Sequence, residues 1–279
     1  MLAAIETGGT KIIARLEDGT EQRWATSTGK GAYADLAAFL APHPVTAIGM
    51  AAFGPLIVDP AQQRYGEVLP TTKPGWTGYN LAAALRDRFG VPVAVDTDVN
   101  AAALAEQQHG AGRGCATVAY VTVGTGIGGG LAVAGRTHRG AMHPEIGHVP
   151  LVRQPHDSFP STCRFHSSCA EGLVAGPAVR ARRGGGDLTD DAATQALVAD
   201  YLAQLAYTLT LAWAPDRIVL GGGVMATPDL LEQIRARLPE HIGGFGVAPA
   251  VAEPDYLVAA QLADAGLEGA LLMAQAVVR

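Results

Sequence analysis

Short apolar runs alternate with glycine turns along the first third of the chain. Runs at Leu2–Glu6 and Lys11–Leu16 flank a turn at residues 7–10, and Gln22–Ala25 offers a third strand. This pattern predicts a β-meander, because short apolar runs joined by glycine turns are typical of antiparallel strands. The spacing of apolar positions then predicts helices at 32–41, 80–89 and 98–109 and strands at 45–52 and 91–95.

The same order of strand, glycine turn, strand and helices restarts after the glycine-rich segment 109–114. The pattern predicts strands at 115–123, 127–134, 147–152, 217–220 and 255–258, and helices at 170–182, 191–213, 228–238 and 267–278. Residues 155–169 are an irregular polar insertion. We therefore expect two α/β domains with mixed sheets and a cleft between them, an N-terminal domain at 1–112 and a C-terminal domain at 113–279. The last helix has the alternative of packing back on the N-terminal domain.

The amino-acid composition excludes several classes of protein. The chain has 279 residues, 48% of them apolar, and carries 26 acidic and 20 basic side chains for a net charge of −6. Disorder is excluded by the apolar content, and the acidic balance argues against a broad nucleic-acid surface. No apolar run approaches the roughly 20 residues that span a bilayer, and three cysteines are too few for a disulfide scaffold. We expect a reduced, soluble protein of the cytoplasm, with no membrane and no nucleic acid among its partners.

Three glycine clusters are candidates for ligand loops. Turns without Cβ atoms allow several backbone N–H groups to converge on a phosphate. The first loop contains Gly8, Gly9, Thr10 and Lys11, and the second spans 124–130. A third cluster at 221–223 lies between a strand and a helix, where a flat ligand can lie against the backbone. For each cluster the alternative is a plain structural turn.

Asp98 follows a short predicted strand and begins a predicted helix. A carboxylate at the end of a strand in an α/β sheet can accept the proton of an attacking hydroxyl. The alternative is that Asp98 only caps the helix. Other polar or turn positions, Gly54, Glu145, His148 and Glu171, suit a polyol ligand.

A possible metal site lies in the polar insertion. Cys163, His166 and Cys169 have the spacing C-x2-H-x2-C in a chain that is otherwise poor in cysteine. Zn²⁺ takes four tetrahedral nitrogen or sulfur ligands, so a fourth ligand is needed. His143, His148 and His156 all qualify by distance along the sequence, and the alternative is two surface thiols with a chance histidine.

In their order along the chain, these motifs resemble those of the ROK family of sugar kinases, and among them the zinc-containing bacterial fructokinases. The resemblance covers essentially the whole chain. It rests on ETGGTK at 6–11, AFGPL at 52–56, TKPGW at 72–76, DTDVNAAAL at 96–104, VGTGIGG at 123–129, PEIGH at 144–148, the cysteine–histidine segment running into EGL at 171–173, and LGGGV at 220–224.

The resemblance implies a two-domain, actin-like (ribonuclease-H-like) fold that closes on ATP–Mg²⁺ and a hexose, most simply D-fructose converted to fructose 6-phosphate. It assigns Asp98 as catalytic base and a homodimer as the expected assembly. Phosphate and nucleotide contacts fall on Gly8, Gly9, Thr10, Lys11, Gly124, Thr125, Gly126, Gly128, Gly221, Gly222 and Gly223. Sugar contacts fall on Gly54, Asn100, Glu145, His148 and Glu171, and the zinc ligands are His148, Cys163, His166 and Cys169.

Two residues depart from the family pattern. Glu6 stands where most members have Asp, and its extra methylene moves the carboxylate, which leaves a direct and a water-bridged contact with Mg²⁺ as alternatives. Thr97 replaces an Asn and alters one sugar contact. Both departures match the fructokinase branch. The alternatives are a glucokinase, mannokinase or N-acetylhexosamine kinase, or a non-catalytic sugar-responsive regulator, which we expect less because the glycine loop begins at residue 6.

Overall fold

The structure is a computed structural model that describes residues 1–186 and 188–278. The strands are β1 Leu2–Thr7, β2 Lys11–Leu16, β3 Glu21–Ala25, β4 Ala47–Ala52, β5 Val93–Thr97, β6 Thr117–Val123, β7 Ile127–Val133, β8 Arg136–Thr137, β9 Arg217–Gly221 and β10 Leu257–Ala259. The helices are α1 Gly29–Leu40, α2 Leu81–Phe89, α3 Asp98–Gln108, α4 Ala170–Val174, α5 Gly176–Arg183, α6 Ala192–Trp213, α7 Leu230–Ile242, α8 Ala248–Val251 and α9 Ala265–Ala276. Asp187 and Arg279, both within the predicted C-terminal domain, lie outside the described residues.

The strands form two five-stranded sheets, ordered β3-β2-β1-β4-β5 and β10-β9-β6-β7-β8. In the first sheet β1 is antiparallel to β2 and parallel to β4, which is parallel to β5. In the second sheet β9 is parallel to β6 and β10, and β7 is antiparallel to β8. Both sheets are therefore mixed, as the sequence predicts for an α/β fold.

Helix α9 packs against β1 and β4 of the first sheet. The approach is so close that a Cβ on Gly49 of β4 would lie 1.7 Å from the carbonyl oxygen of Ala270. Only glycine fits there, because any side chain would push the helix away from the strand. Gly269 is equally constrained, since its Cβ would lie 1.9 Å from the carbonyl oxygen of Ala101.

Two predicted elements are wrong in the structure. The apolar stretch 147–152 predicts a strand, but Ile146–His148 is a 3₁₀ helix, and the next residue in a ladder is Pro150, in an isolated bridge with Cys169. Proline has no N–H to donate, which prevents a longer ladder. The predicted helix at 170–182 is two helices, α4 and α5, with extended backbone at Ala175 and Pro177 in the first turn of α5.

The chain forms two compact units that interleave along the sequence. Unit 1 contains Met1–Ala105, Gly130–Pro144 and Leu262–Arg279, and unit 2 contains Glu106–Gly129 and Glu145–Gln261. The boundary between residues 112 and 113 stays a prediction. Within the described part of the chain, no helix combines the length and the apolar character needed to cross a bilayer.

Candidate active site

Three strands of unit 1 end in register at one edge of the first sheet. Thr7 pairs with Ala52, and Ala52 with Thr97, so the residues that follow them, Gly8, Phe53 and Asp98, leave from the same edge. This is the carboxyl end of the parallel strands, where ligands gather in open α/β sheets. The register therefore brings the first glycine loop and Asp98 to one place, as a shared site requires.

The first glycine loop is a tight hairpin between β1 and β2. The N–H of Gly8 donates to the carbonyl of Lys11 at 2.8 Å, and the hydroxyl of Thr26 donates to the carbonyl of Gly8 at 2.8 Å. Gly9 and Thr10 are exposed. Beside the loop, the hydroxyl of Thr7 is buried with no hydrogen-bond partner among the described residues. The loop thus has a fixed shape and polar groups still available to a ligand.

Two carboxyl groups near this edge, Glu6 and Asp98, are held in a poorly solvated environment. Burial raises the pKa of Asp98 from 3.8 to about 7; the N–H of Val99 and the Lys73 ammonium oppose this rise, and the charge of Glu6 reinforces it. Burial also raises the pKa of Glu6, which the Lys11 ammonium opposes and the Asp264 carboxylate reinforces. A carboxyl group with a pKa near neutrality can accept a proton and release it again at physiological pH.

The residues around Asp98 are fixed by a buried polar network. Asp96 is fully buried, and its Oδ1 accepts from the backbone of Thr97 and from Nδ2 of Asn100, both at 2.8 Å. Asn100 also donates to the carbonyl of His138 and accepts from the N–H of Leu131. The amide of Asn100 is thus engaged within unit 1, and its predicted contact with the sugar stays a prediction.

Lys73 is a further candidate that the sequence analysis assigned no role. Its ammonium lies 3.8 Å above the centre of the Phe53 ring. A Cβ on Gly9 would lie 3.8 Å from Cε and 3.9 Å from Nζ of the same side chain. Burial lowers the pKa of Lys73, and the Asp98 carboxylate opposes that effect. A lysine in a loop rich in glycine and proline was the available signal, but only the fold shows where its ammonium lies.

The second glycine loop joins β6 to β7 in unit 2. Gly124 donates to the carbonyl of Gly126 at 2.9 Å, and Gly176 at the start of α5 donates to the carbonyl of Gly124 at 2.7 Å. Oε2 of Glu171 accepts from the N–H of Ile127 at 3.1 Å and lies 2.6 Å from where a Cβ on Gly126 would be. Glu171, which is predicted to contact the sugar, therefore also fixes this loop.

A pocket of about 410 Å³ opens beside the second loop, within unit 2. Its lining is mostly backbone and small side chains with one guanidinium, and consists of Gly124, Thr125, Gly176, Val179, Arg180, Gly186, Leu188, Gly223, Val224 and Thr227. Gly222, at φ +92°, could not carry a Cβ, which would lie 2.5 Å from the carbonyl oxygen of Val123. The structure thus brings the second and third glycine clusters of the sequence to one pocket large enough for a nucleoside.

The Cys/His residues of unit 2 form a compact cluster. The candidate ligand atoms of His148, Cys163, His166 and Cys169 all lie within 4.8 Å of one another. Sγ of Cys163 is 3.9 Å from Nδ1 of His148 and 3.6 Å from Nδ1 of His166. Such separations suit tetrahedral Zn²⁺, whose bonds are about 2.0–2.3 Å long. Of the three histidines that the spacing allows, His148 joins the cluster.

The protein around the cluster is built to hold the two sulfur atoms. The N–H of Gly172 donates to Sγ of Cys169 at 3.4 Å, and the N–H of Phe165 donates to Sγ of Cys163 at 3.5 Å. Burial, together with the neighbouring Cys163, raises the pKa of Cys169 to about 11. A cation would reverse that preference, because a metal binds the thiolate.

A buried ion pair fastens the segment that carries the cluster. The Asp157 carboxylate accepts two hydrogen bonds from the Arg182 guanidinium, at 2.7 and 2.8 Å, and one from the Tyr201 hydroxyl at 2.6 Å. These bonds, with Arg182 contributing most, hold the pKa of Asp157 well below its usual range. The irregular insertion is thereby attached to α5 and α6.

The predicted site residues thus fall into two groups. Unit 1 holds Gly8, Gly9, Thr10, Lys11, Gly54, Asp98 and Asn100, and unit 2 holds Gly124, Thr125, Gly126, Gly128, Glu145, His148, Cys163, His166, Cys169, Glu171, Gly221, Gly222 and Gly223. Glu145 is exposed, directly before the 3₁₀ helix that ends at His148. No sequence motif predicts a role for Lys73, Arg180 or Asp264, because their proximity to the loops depends on the fold.

Comparison with known proteins extends over the whole chain. A fructokinase of Pediococcus pentosaceus is 38% identical over 287 residues, covering 100% of this chain and 99% of that protein. The structure of a ROK hexokinase from Thermus thermophilus has a TM-score of 0.82 at 30% identity, covering 99% of this chain and 98% of that one. A ROK family glucokinase from Streptomyces griseus, solved with glucose and AMPPNP, has a TM-score of 0.75 at 26% identity, covering 99% of each chain.

These similarities confirm the predicted actin-like α/β fold with mixed sheets. Residues 2–277 match the ROK family, and the chain therefore belongs to it.

Proposed function

We propose that this protein transfers the γ-phosphoryl group of ATP to a hexose, converting D-fructose to fructose 6-phosphate. The main support for this proposal is the position of Asp98. This half-buried carboxyl group, with a pKa of about 7, lies at the same sheet edge as the first glycine loop. Membership of the ROK family and the similarity to a fructokinase over the whole chain support the same reaction. The ATP analogue in the S. griseus relative supports ATP as donor.

In the proposed reaction, Asp98 accepts the proton of the sugar hydroxyl. The hydroxyl oxygen forms a bond to the γ-phosphorus as the bond to the β,γ-bridging oxygen breaks, and the electron pair of that bond leaves with ADP. Because the transition state is loose, orientation of the hydroxyl matters more than the strength of the base. General-base catalysis of this kind contributes about 10²–10⁴-fold.

The glycine loops have complementary roles in this proposal. Backbone N–H groups and side chains at 8–11 and 124–128 bind phosphate oxygens, and the pocket beside 221–223 holds the adenosine. Mg²⁺, when bound, would neutralise phosphate charge, with Glu6 holding it through water. Gly54, Asn100, Glu145, His148 and Glu171 are the proposed sugar-contacting residues.

We also propose that the Cys/His cluster holds a structural Zn²⁺. Two thiols and two imidazoles are the donor set that Zn²⁺ prefers, and their mutual distances suit a tetrahedral site. A cation bound to His148 would fix the segment from Glu145 to His148. The metal would then orient the proposed sugar-contacting residues without itself touching the sugar.

The cytoplasm, where ATP is available and thiols stay reduced, is the proposed site of action, and a homodimer is the proposed assembly. The test of function is an ADP-release assay with fructose, glucose, mannose and N-acetylglucosamine, with zinc measured on the same sample. We expect the largest kcat/KM for fructose. A larger value for another hexose would replace fructose in the proposal, and ATP binding without turnover on any sugar would refute a kinase.

A further inference from the structure

The side chain of Lys73 lies at the site edge and, among the described residues, makes no ion pair. Among the described residues, its Nζ takes part in no ion pair and no hydrogen bond, and its neighbour is the face of the Phe53 ring at 3.8 Å. An ammonium group that is half-buried and packed against a ring has lost part of its hydration. Such a group gains more from an incoming anion than an exposed lysine does.

The ammonium lies beside the phosphate loop. A Cβ built at its ideal position on Gly9 would lie 3.9 Å from Nζ of Lys73. Phe53 and Asp98 leave the sheet from the same edge as this loop. Lys73 therefore lies beside the loop that is proposed to bind the donor phosphates, and close enough to Asp98 for its charge to lower the pKa of that carboxyl group.

The lysine of the loop itself is differently engaged. Nζ of Lys11 lies 3.9 Å from Oδ1 of Asp264, whose other oxygen accepts from Arg15 and Arg23 at 3.0 and 3.2 Å. Lys11 thus faces a carboxylate that is shared with two arginines, whereas Lys73 has no ion pair among the described residues and is influenced only by the more distant charge of Asp98. Of the two cations, Lys73 is the one that has no ion-pair partner and can form one with an anionic ligand.

We propose that Lys73 is a catalytic residue that binds the transferred phosphoryl group, contacting its equatorial oxygens during transfer and the phosphate of the product afterwards. The inference rests on the proposed kinase function. It adds a cation at the transferred phosphoryl group, which neither the first glycine loop nor Asp98 provides. Negative charge on those oxygens has to be met by a preorganised cation, and such electrostatic stabilisation is usually a large part of catalysis. The bound sugar alone, which carries no phosphate, gains nothing from this charge.

The test uses Lys73→Met, which keeps an aliphatic side chain over Phe53 but removes the charge, and Lys73→Gln as a second neutral variant. Lys30→Met, at an exposed position of α1, is the matched control. We expect kcat to fall about 10²–10³-fold in both neutral variants, as for loss of one oxyanion-stabilising donor. The KM for fructose should stay within threefold of wild type, while inhibition by fructose 6-phosphate weakens at least tenfold.

A pH profile separates this role from a merely structural one. Removing the ammonium raises the pKa of Asp98, so the acidic limb of kcat/KM should move to higher pH in Lys73→Met. The melting temperature should be unchanged at pH 5, where Asp98 is protonated in both folded proteins. If the wild type is active and kcat of both neutral variants stays within threefold of the wild-type value, the role of Lys73 is overturned but the proposed kinase function is not. An equal weakening of fructose and fructose 6-phosphate binding would also overturn it. A wild-type protein inactive on every hexose would instead remove the proposed function.

Discussion

The replacement Asp98→Asn should separate activity from stability at one position. In the folded protein, burial raises the pKa of Asp98 from 3.8 to about 7. Because the folded pKa is raised, the neutral carboxyl favours folding fully below pH 3.8, and that contribution is lost progressively as the pH rises to about 7. Above that pH the ionised side chain costs the wild type up to about 4 kcal/mol of unfolding free energy, at 1.36 kcal/mol per pKa unit.

An asparagine has no charge to bury, so the stability of the variant lacks this pH dependence. We expect the difference in unfolding free energy between Asp98→Asn and wild type to grow by about 2.5 kcal/mol in favour of the variant between pH 5 and pH 8. Over the same range, kcat of the variant should be lower by about 10²–10⁴-fold, because no group accepts the proton. Affinity for the sugar should persist.

The assay is urea unfolding of ligand-free protein at both pH values, with ADP release measured on the same samples. Asp87→Asn, at an exposed position of α2, is the control and should show neither effect. A stability difference that is the same at pH 5 and pH 8 would refute the burial of this charge. A turnover within tenfold of wild type would remove Asp98 from the role of base.

Two further perturbations concern the insertion in unit 2. Removal of zinc by a chelator, or the replacement Cys163→Ser, should cost the protein about one zinc ion per chain. Hydrogen exchange across residues 145–171 and the KM for fructose should both rise. A protein that is verified to be free of zinc but has an unchanged KM for fructose would contradict this. Asp157→Asn should lower unfolding free energy at pH 7 by about 3 kcal/mol or more, because it leaves the Arg182 charge buried without its partner. Since the folded pKa of Asp157 is lowered, that deficit should shrink below about pH 4, whereas Asp190→Asn, at an exposed position, should match wild type in urea unfolding throughout.

Local patterns were sufficient to predict most elements of the first half. The bounds of β2 are those of the predicted strand, and Asn80 caps α2 through a hydrogen bond to the N–H of Ala83, as its position before an apolar run predicts. Helix α1 was predicted three residues too late, because glycine disfavours helices. Gly29 is there for space, since its Cβ would lie 2.3 Å from the Tyr79 ring.

Sequence motifs predicted only those site residues whose position follows directly from the strand that precedes them. Loop residues and Asp98 could be placed because each directly follows a strand, and the order of strands in the sheet then decides which of them meet. Lys73 could not be placed in this way, because it lies in a loop far along the chain from both Gly9 and Asp98. Likewise the spacing of Cys163, His166 and Cys169 indicated a metal site but left three histidines open as fourth ligand. The family resemblance assigned His148, and the structure places it in the cluster, on the 3₁₀ helix that replaces the predicted strand.

The close packing of α9 on β4 has a consequence for synthesis of the protein. The ribosome must translate residues 53–264 between the two elements, which takes roughly 10–40 s at about 5–20 residues per second. Once β5 has been translated, the nascent chain contains every strand of its first sheet, but the face around Gly49 still has no α9 to cover it. Productive folding of this sheet is therefore completed only after α9 has been synthesised, and until then its uncovered strands are a natural substrate for chaperones.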